Sequence, residues 1–279
     1  MDGPVLAMVL AAALLHAVWN ALAHNIKDTF AGFVVIGIAD TVCCAALVLF
    51  APLPAPASWP YIAASVVLEI TYQVLLLQAY RLGEFGQMYP LARGTSPWVV
   101  AIIATTVLGQ PLPPRQLIGV LVICVGLAGL TFAGGLPRRA HLPALGAALG
   151  TGVMIALYTV VDGVGVRHSG SVLGYLSWIF LLQGPALPLF AVLRERRALA
   201  ARLRPVWVPG LLGGVLSPAA YGLVIWAQSR GALAPIAALR ETSIVIAAII
   251  AAVVFHERFG RIRLIASAIV VAGILLLNP

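Results

Sequence analysis

Two arginines recur inside apolar sequence, in Leu91-Ala92-Arg93-Gly94-Thr95-Ser96 and again in Ala238-Leu239-Arg240-Glu241-Thr242-Ser243. A guanidinium held in hydrocarbon is costly, so such a residue marks a binding, gating or charge-pairing position by default. The Thr and Ser after each arginine could complete an anion-binding or helix-contact surface. Glu241, beside Arg240, argues against a simple anion site there. The alternative is snorkelling, in which the stem lies along lipid or protein and the head reaches the nearer interface.

Asp40 and Glu69 also fall deep within apolar runs, where an exposed ionised carboxylate is strongly disfavoured. Each is a candidate for proton coupling, or else a neutral or paired structural acid. His16 and Asn20, four apart, share one helical face with Trp19 beside it. They either contact a polar solute or make interhelical hydrogen bonds. Tyr72, Tyr158 and Tyr221 lie deep enough to line a cavity, whereas Tyr80 and Trp226, nearer span ends, read as interfacial anchors. Asp162 is the nearest candidate partner for Arg240, a contact that could open and close one end of a path.

These side chains need a scaffold, and the composition dictates its kind. Hydrophobic residues make up 62% of the 279-residue chain and charged residues 9%. Soluble domains carry about a quarter charged residues. Ten apolar runs, 3–23, 30–51, 60–80, 85–108, 116–136, 143–161, 170–193, 206–228, 232–255 and 262–278, match the ~20 residues a helix needs to span a bilayer. Short loops rich in proline and glycine separate them, leaving no room for a soluble domain. The runs are too uniformly apolar for a barrel with polar lumen-facing positions. The expected architecture is therefore an all-α integral membrane protein of ten transmembrane helices.

Met1-Asp2-Gly3 offers no positive n-region, and the first run is expected to remain as a span. Cys43, Cys44 and Cys124 form no spaced ligand pair, so they predict inert thiols and no metal site. The glycines lack the lysine of a phosphate-binding loop and are read as helix-packing positions. Dispersed charges without a convergent nucleophile or acid/base set argue against an enzyme, and no cofactor is expected. The net charge of +8 is spread among loops rather than along a face, which argues against nucleic acid. Twelve basic residues fall in odd-numbered loops against Arg115, Arg167 and Arg230 in even ones. By the positive-inside rule the odd loops face the cytoplasm and both termini lie on the other side.

The arginine segments belong to a wider repetition. Tyr72 and Arg81 are spaced like Tyr221 and Arg230, and Gln110 and Gly126 like Glu257 and Gly273. The chain reads as two five-helix repeats, 1–136 and 143–279. Because five is odd, the second enters the membrane from the opposite side, an inverted repeat that suits alternating access. Arg93 and Arg240 each lie on the order of 12 Å from the interface where their spans begin, at 1.5 Å per residue. They are expected as mirror-image elements, Arg93 nearer the inner side and Arg240 nearer the outer.

HAVWN at His16 to Asn20, YPLARG at Tyr89 to Gly94, VDGVGVR at Val161 to Arg167, LRETS at Leu239 to Ser243 and HERFG at His256 to Gly260 together resemble the EamA family of the drug/metabolite transporter superfamily. The resemblance covers nearly all of the chain and both repeats. It implies a secondary transporter in the cytoplasmic membrane, moving a small polar or amphipathic metabolite, an amino acid or similar, as an exporter. Lipid-linked sugar flipping is the alternative. Partners implied are the small-molecule substrate, membrane lipids and protons as a candidate coupling ion, and one chain could form a complete pathway. Gln110 departs from the family, standing where the fourth span commonly ends in a glutamate that the second half keeps as Glu257.

Overall fold

The computed structural model describes residues 2–23, 26, 28–132, 141–195, 198–254 and 261–277. Among them the chain is helical throughout, with no strand. In hydrocarbon every backbone N–H and C=O must be satisfied internally, and long runs without turn residues achieve this as helices. The first half holds α1 (Gly3–Ala23), α2 (Thr29–Val48), α3 (Trp59–Leu82), α4 (Phe85–Thr106) and α5 (Pro114–Phe132). The second holds α6 (Leu142–Gly165), α7 (Val172–Gln183), α8 (Ala186–Glu195), α9 (Leu199–Leu203), α10 (Trp207–Gln228), α11 (Leu233–Arg240), α12 (Thr242–Val254) and α13 (Arg261–Leu277). Lys27, Arg138, Arg139, Arg196, Arg197 and the HERFG stretch with Glu257 lie outside the described residues, as does the side chain of Asn20.

Among the described residues, six stretches are long and apolar enough to cross a membrane: Thr29–Val48, Pro56–Leu82, Pro114–Thr131, Leu142–His168, Val172–Glu195 and Leu199–Gln228. Two runs expected as single helices are each divided. Run 170–193 breaks between α7 and α8 at Gly184-Pro185, where the proline ring removes a donor and clashes with the preceding turn. Run 232–255 breaks between α11 and α12 at Glu241, whose N–H bonds the Ala238 carbonyl at 3.2 Å in a tightened turn. Within α4, Pro97 cannot donate to the carbonyl of Arg93, four residues earlier. Both arginines therefore sit where the helical ladder is locally weakened, which is tolerated in a membrane only inside protein.

Packing is organised as two bundles and two linking pairs. One bundle sets α6 against α3 and α4; the other sets α1 against α10, α11 and α12. The linking pairs are α2 with α7 and α5 with α13. Exchanging the first five runs for the last five converts each bundle's contacts into the other's and leaves the linking pairs unchanged. Small residues permit the closest crossings, because helices in lipid associate through van der Waals contact rather than through the hydrophobic effect. A Cβ on Gly37 would lie 2.5 Å from the carbonyl oxygen of Gly184, and one on Gly119 would lie 2.9 Å from that of Gly273. The outer faces keep Val42, Val67, Ile102, Leu121, Val215 and Ile265 exposed, as lipid contact requires.

Asp28 shows how one end of the bundle is tied. Its Oδ1 caps α2 by accepting from the Ala31 N–H at 3.1 Å, and it also accepts from Arg202 Nη2 at 3.0 Å. The Arg202 guanidinium, which also meets Glu195, holds the Asp28 carboxyl below the usual carboxylate range, outweighing the opposing effect of partial burial. A depressed folded-state pKa gives stability that is present above the unfolded pKa, about 3.9, and is lost as pH falls through the lower folded value. Arg202→Ala should therefore lower thermal stability in detergent at pH 7 by at most about 1 kcal/mol, the pair being part-exposed. That deficit should shrink below pH 4, and an equal deficit at pH 7 and pH 3 would assign the loss to packing.

Candidate functional site

The two recurrent arginines meet. Arg93 Nε lies 2.7 Å from Glu241 Oε2, and Arg240 Nε lies 3.5 Å from Glu241 Oε1. One carboxylate, entirely buried, thus faces the guanidinium groups of two arginines that are themselves 6% and 4% exposed. Arg93 Nη2 also donates to Ser243 Oγ at 3.3 Å and Arg240 Nη1 to Thr159 Oγ1 at 3.5 Å, while the Arg93 head sits 6.0 Å from the centre of the Tyr89 ring. Arg240 Nη2, Ser96 Oγ and Thr242 Oγ1 are buried without a hydrogen-bond partner among the described residues. This layer therefore retains hydrogen-bonding capacity.

The expected separation of the arginines to opposite sides needs correction. Each starts about 12 Å in from its own interface, so in a core about 30 Å thick only some 6 Å of depth divides them. Long side chains cross that distance. Gly94, the counterpart of Glu241, is closely packed: a Cβ there would lie 3.0 Å from Leu127 Cβ, so a side chain at this position would have to displace Leu127.

The Asp162 expectation is also corrected. Its carboxylate accepts from Tyr221 Oη at 2.5 Å and Tyr175 Oη at 3.1 Å, while Arg240 acts on it only at longer electrostatic range. Arg240 is closer to Glu241 because the break after α11 places that side chain in its path. Tyr72, Tyr158 and Tyr221 form an edge-to-face series with ring centres 5.7 and 6.0 Å apart, leading from α3 through α6 to α10. His16 Nδ1 accepts from Trp19 Nε1 at 3.3 Å, and its ring lies within electrostatic range of Arg93 and Arg240. Glu69 is buried within similar range of Asp162, Asp40 and Arg240. Asp40 is buried on α2 with Oδ1 lacking a hydrogen-bond partner among the described residues.

Several participants were missed from the sequence. Gln183 accepts from Gln73 Nε2 at 2.6 Å, joining α7 to α3. Tyr175 and Thr159 complete the shells of Asp162 and Arg240. Gly165 was the available signal for Tyr175: a Cβ there would overlap the Tyr175 hydroxyl. Gly37 and Gly184 were another, since they stand 147 positions apart, as do Arg93 and Arg240, and Gly126 and Gly273.

Apolar helices exposed to lipid, enclosing a buried layer of charge and tyrosine, define a multi-pass membrane protein of the transporter type. Residues 142–278 match the model of the EamA-like transporter family, and through that half the chain belongs to the family. Membership implies a membrane transporter of the drug/metabolite type rather than an enzyme. No curated protein matches the chain. A crystal structure 18% identical aligns over 100% of this chain and 97% of its own, with a TM-score of 0.76, a likeness of fold.

Proposed function

We propose that the chain is a ten-span secondary transporter of two inverted five-helix repeats, 1–136 and 143–279. It exports a small polar or amphipathic metabolite, an amino acid or similar, by alternating access. The observation that carries this reading is the meeting of Arg93, Arg240 and Glu241 in one buried layer. Residues at matching positions of two repeats come together only near the axis relating the repeats, and in inverted-repeat transporters the solute site lies near that midplane. The exchange of packing contacts between the two bundles supports the same symmetry.

Arg93, Arg240 and Glu241 supply a layer with one excess positive charge, which suits a carboxylate. The Tyr72, Tyr158 and Tyr221 rings offer an apolar wall, and Asp162 at its end suits a cationic group; His16 borders the site from α1. Glu69 and Asp40 are the candidates for carrying a coupled proton. The membrane is the cytoplasmic one, with odd loops inside and both termini outside, and one chain suffices for the pathway.

Growth protection tests the export reading. Cells producing the protein should tolerate at least one amino acid, analogue or cationic toxicant better than cells producing Arg93→Ala. Equal tolerance across the panel, with both proteins in the membrane, contradicts export. In pH-gradient assays Glu69→Gln should flatten the pH dependence of flux; dependence like that of the wild type removes Glu69 from proton coupling.

A further inference from the structure

At the end of the bundle carrying the even-numbered loops, Arg167 leaves the end of α6 and grips the opposite bundle. Its Nε and Nη2 donate to the carbonyl oxygen of Gln228 at 3.0 and 2.9 Å, and Nη2 donates to that of Gly231 at 2.6 Å. The acceptors lie at the C-terminal end of α10 and just beyond it, where unpaired carbonyls concentrate the negative end of the helix dipole. A second bridge runs beside it, Leu233 N–H donating to Gln110 Oε1 at 3.3 Å and joining the loop after α4 to the start of α11. Both connect the α3/α4/α6 bundle to the α1/α10/α11/α12 bundle. They border a depression of about 370 Å³ lined by Gln110, Arg167, Ser229, Arg230, Gly231 and Ala232.

We propose that Arg167, with Gln110 beside it, is the latch that holds the even-loop end shut, and that releasing it exposes the buried charged layer on that side. The inference rests on the alternating-access reading and adds to it the side chains that hold one gate. The clasp suits repeated opening. Arg167 is itself exposed, so water reaches its bonds and can replace them once the bundles part. Beside it, Leu233 is fully buried against Gly163 of α6, an apolar contact that must part with the clasp when this end opens. The planar fork is needed to hold two carbonyls at once, a geometry that a lysine ammonium does not reproduce.

Thiol accessibility tests the latch apart from transport. In a variant with Cys43, Cys44 and Cys124 replaced by alanine, Ala234→Cys puts a reporter on α11 at a position that is 2% exposed behind the clasp. An impermeant maleimide is applied to oriented vesicles from the even-loop side. Arg167→Ala should raise the labelling rate on the order of tenfold, as expected when the bias toward a closed state is lost. Gln110→Ala should raise it less, and Arg167→Lys should behave more like alanine than like arginine. Gel filtration and thermal unfolding confirm which variants are folded, and Gln110→Ala keeps the test open if Arg167→Ala is not. Unchanged labelling in the folded variants overturns the latch. Raised labelling supports it even if the wild type shows no flux, a result that counts against the transport reading alone.

Discussion

Glu241→Gln should destabilise the protein by about 3–5 kcal/mol, the cost of stripping a buried charge cluster of its counter-ion. The glutamate lies 2.7 Å from Arg93 and 3.5 Å from Arg240 with no exposure of its own, so its loss leaves two guanidinium groups facing each other. Both must then find water or distort the helix break to escape. Arg93→Gln combined with Glu241→Gln returns the layer to a single excess positive charge and should recover part of the loss. Thermal unfolding in one detergent, with Glu241→Gln, the double variant and the wild type side by side, measures this. A double variant no more stable than Glu241→Gln would show that the three charges are not coupled.

Asp162→Ala should have the second large effect. Tyr175 and Tyr221 both donate to this carboxylate from different helices, and each hydroxyl left buried without an acceptor costs about 1–3 kcal/mol. Tyr221→Phe should cost about 0.5–1.5 kcal/mol in the wild type and much less once Asp162 is alanine. A double-mutant cycle reads that coupling directly. The same cycle with Arg240 in place of Tyr221 should give the smaller value, and the reverse ranking would restore Arg240 as the principal partner of Asp162.

The helical membrane architecture was legible from hydropathy because each span must satisfy its own backbone, a constraint that acts within one segment. The breaks at Gly184-Pro185 and Glu241 were not, since hydropathy averages over a run and misses a single residue that interrupts it. The arginines were singled out by their cost in hydrocarbon. Their meeting was missed because depth was counted from opposite interfaces without adding the reach of the side chains. Asp162 was given to Arg240 by charge and by its expected nearness, whereas the tyrosines around it carry no formal charge and leave no comparable trace in sequence. Glu241 was read as arguing against a simple anion site beside Arg240, and it meets both arginines.

Counterflow in proteoliposomes tests the central claim most directly. Vesicles holding the purified chain are loaded with one unlabelled neutral, aromatic or cationic amino acid and diluted into the labelled compound without a metabolic energy source. A carrier that exposes one site alternately to each side will accumulate label transiently for at least one of these solutes, and Arg93→Ala will abolish the accumulation. Passive equilibration without overshoot for every solute, from folded and inserted protein, would contradict alternating access through this buried layer.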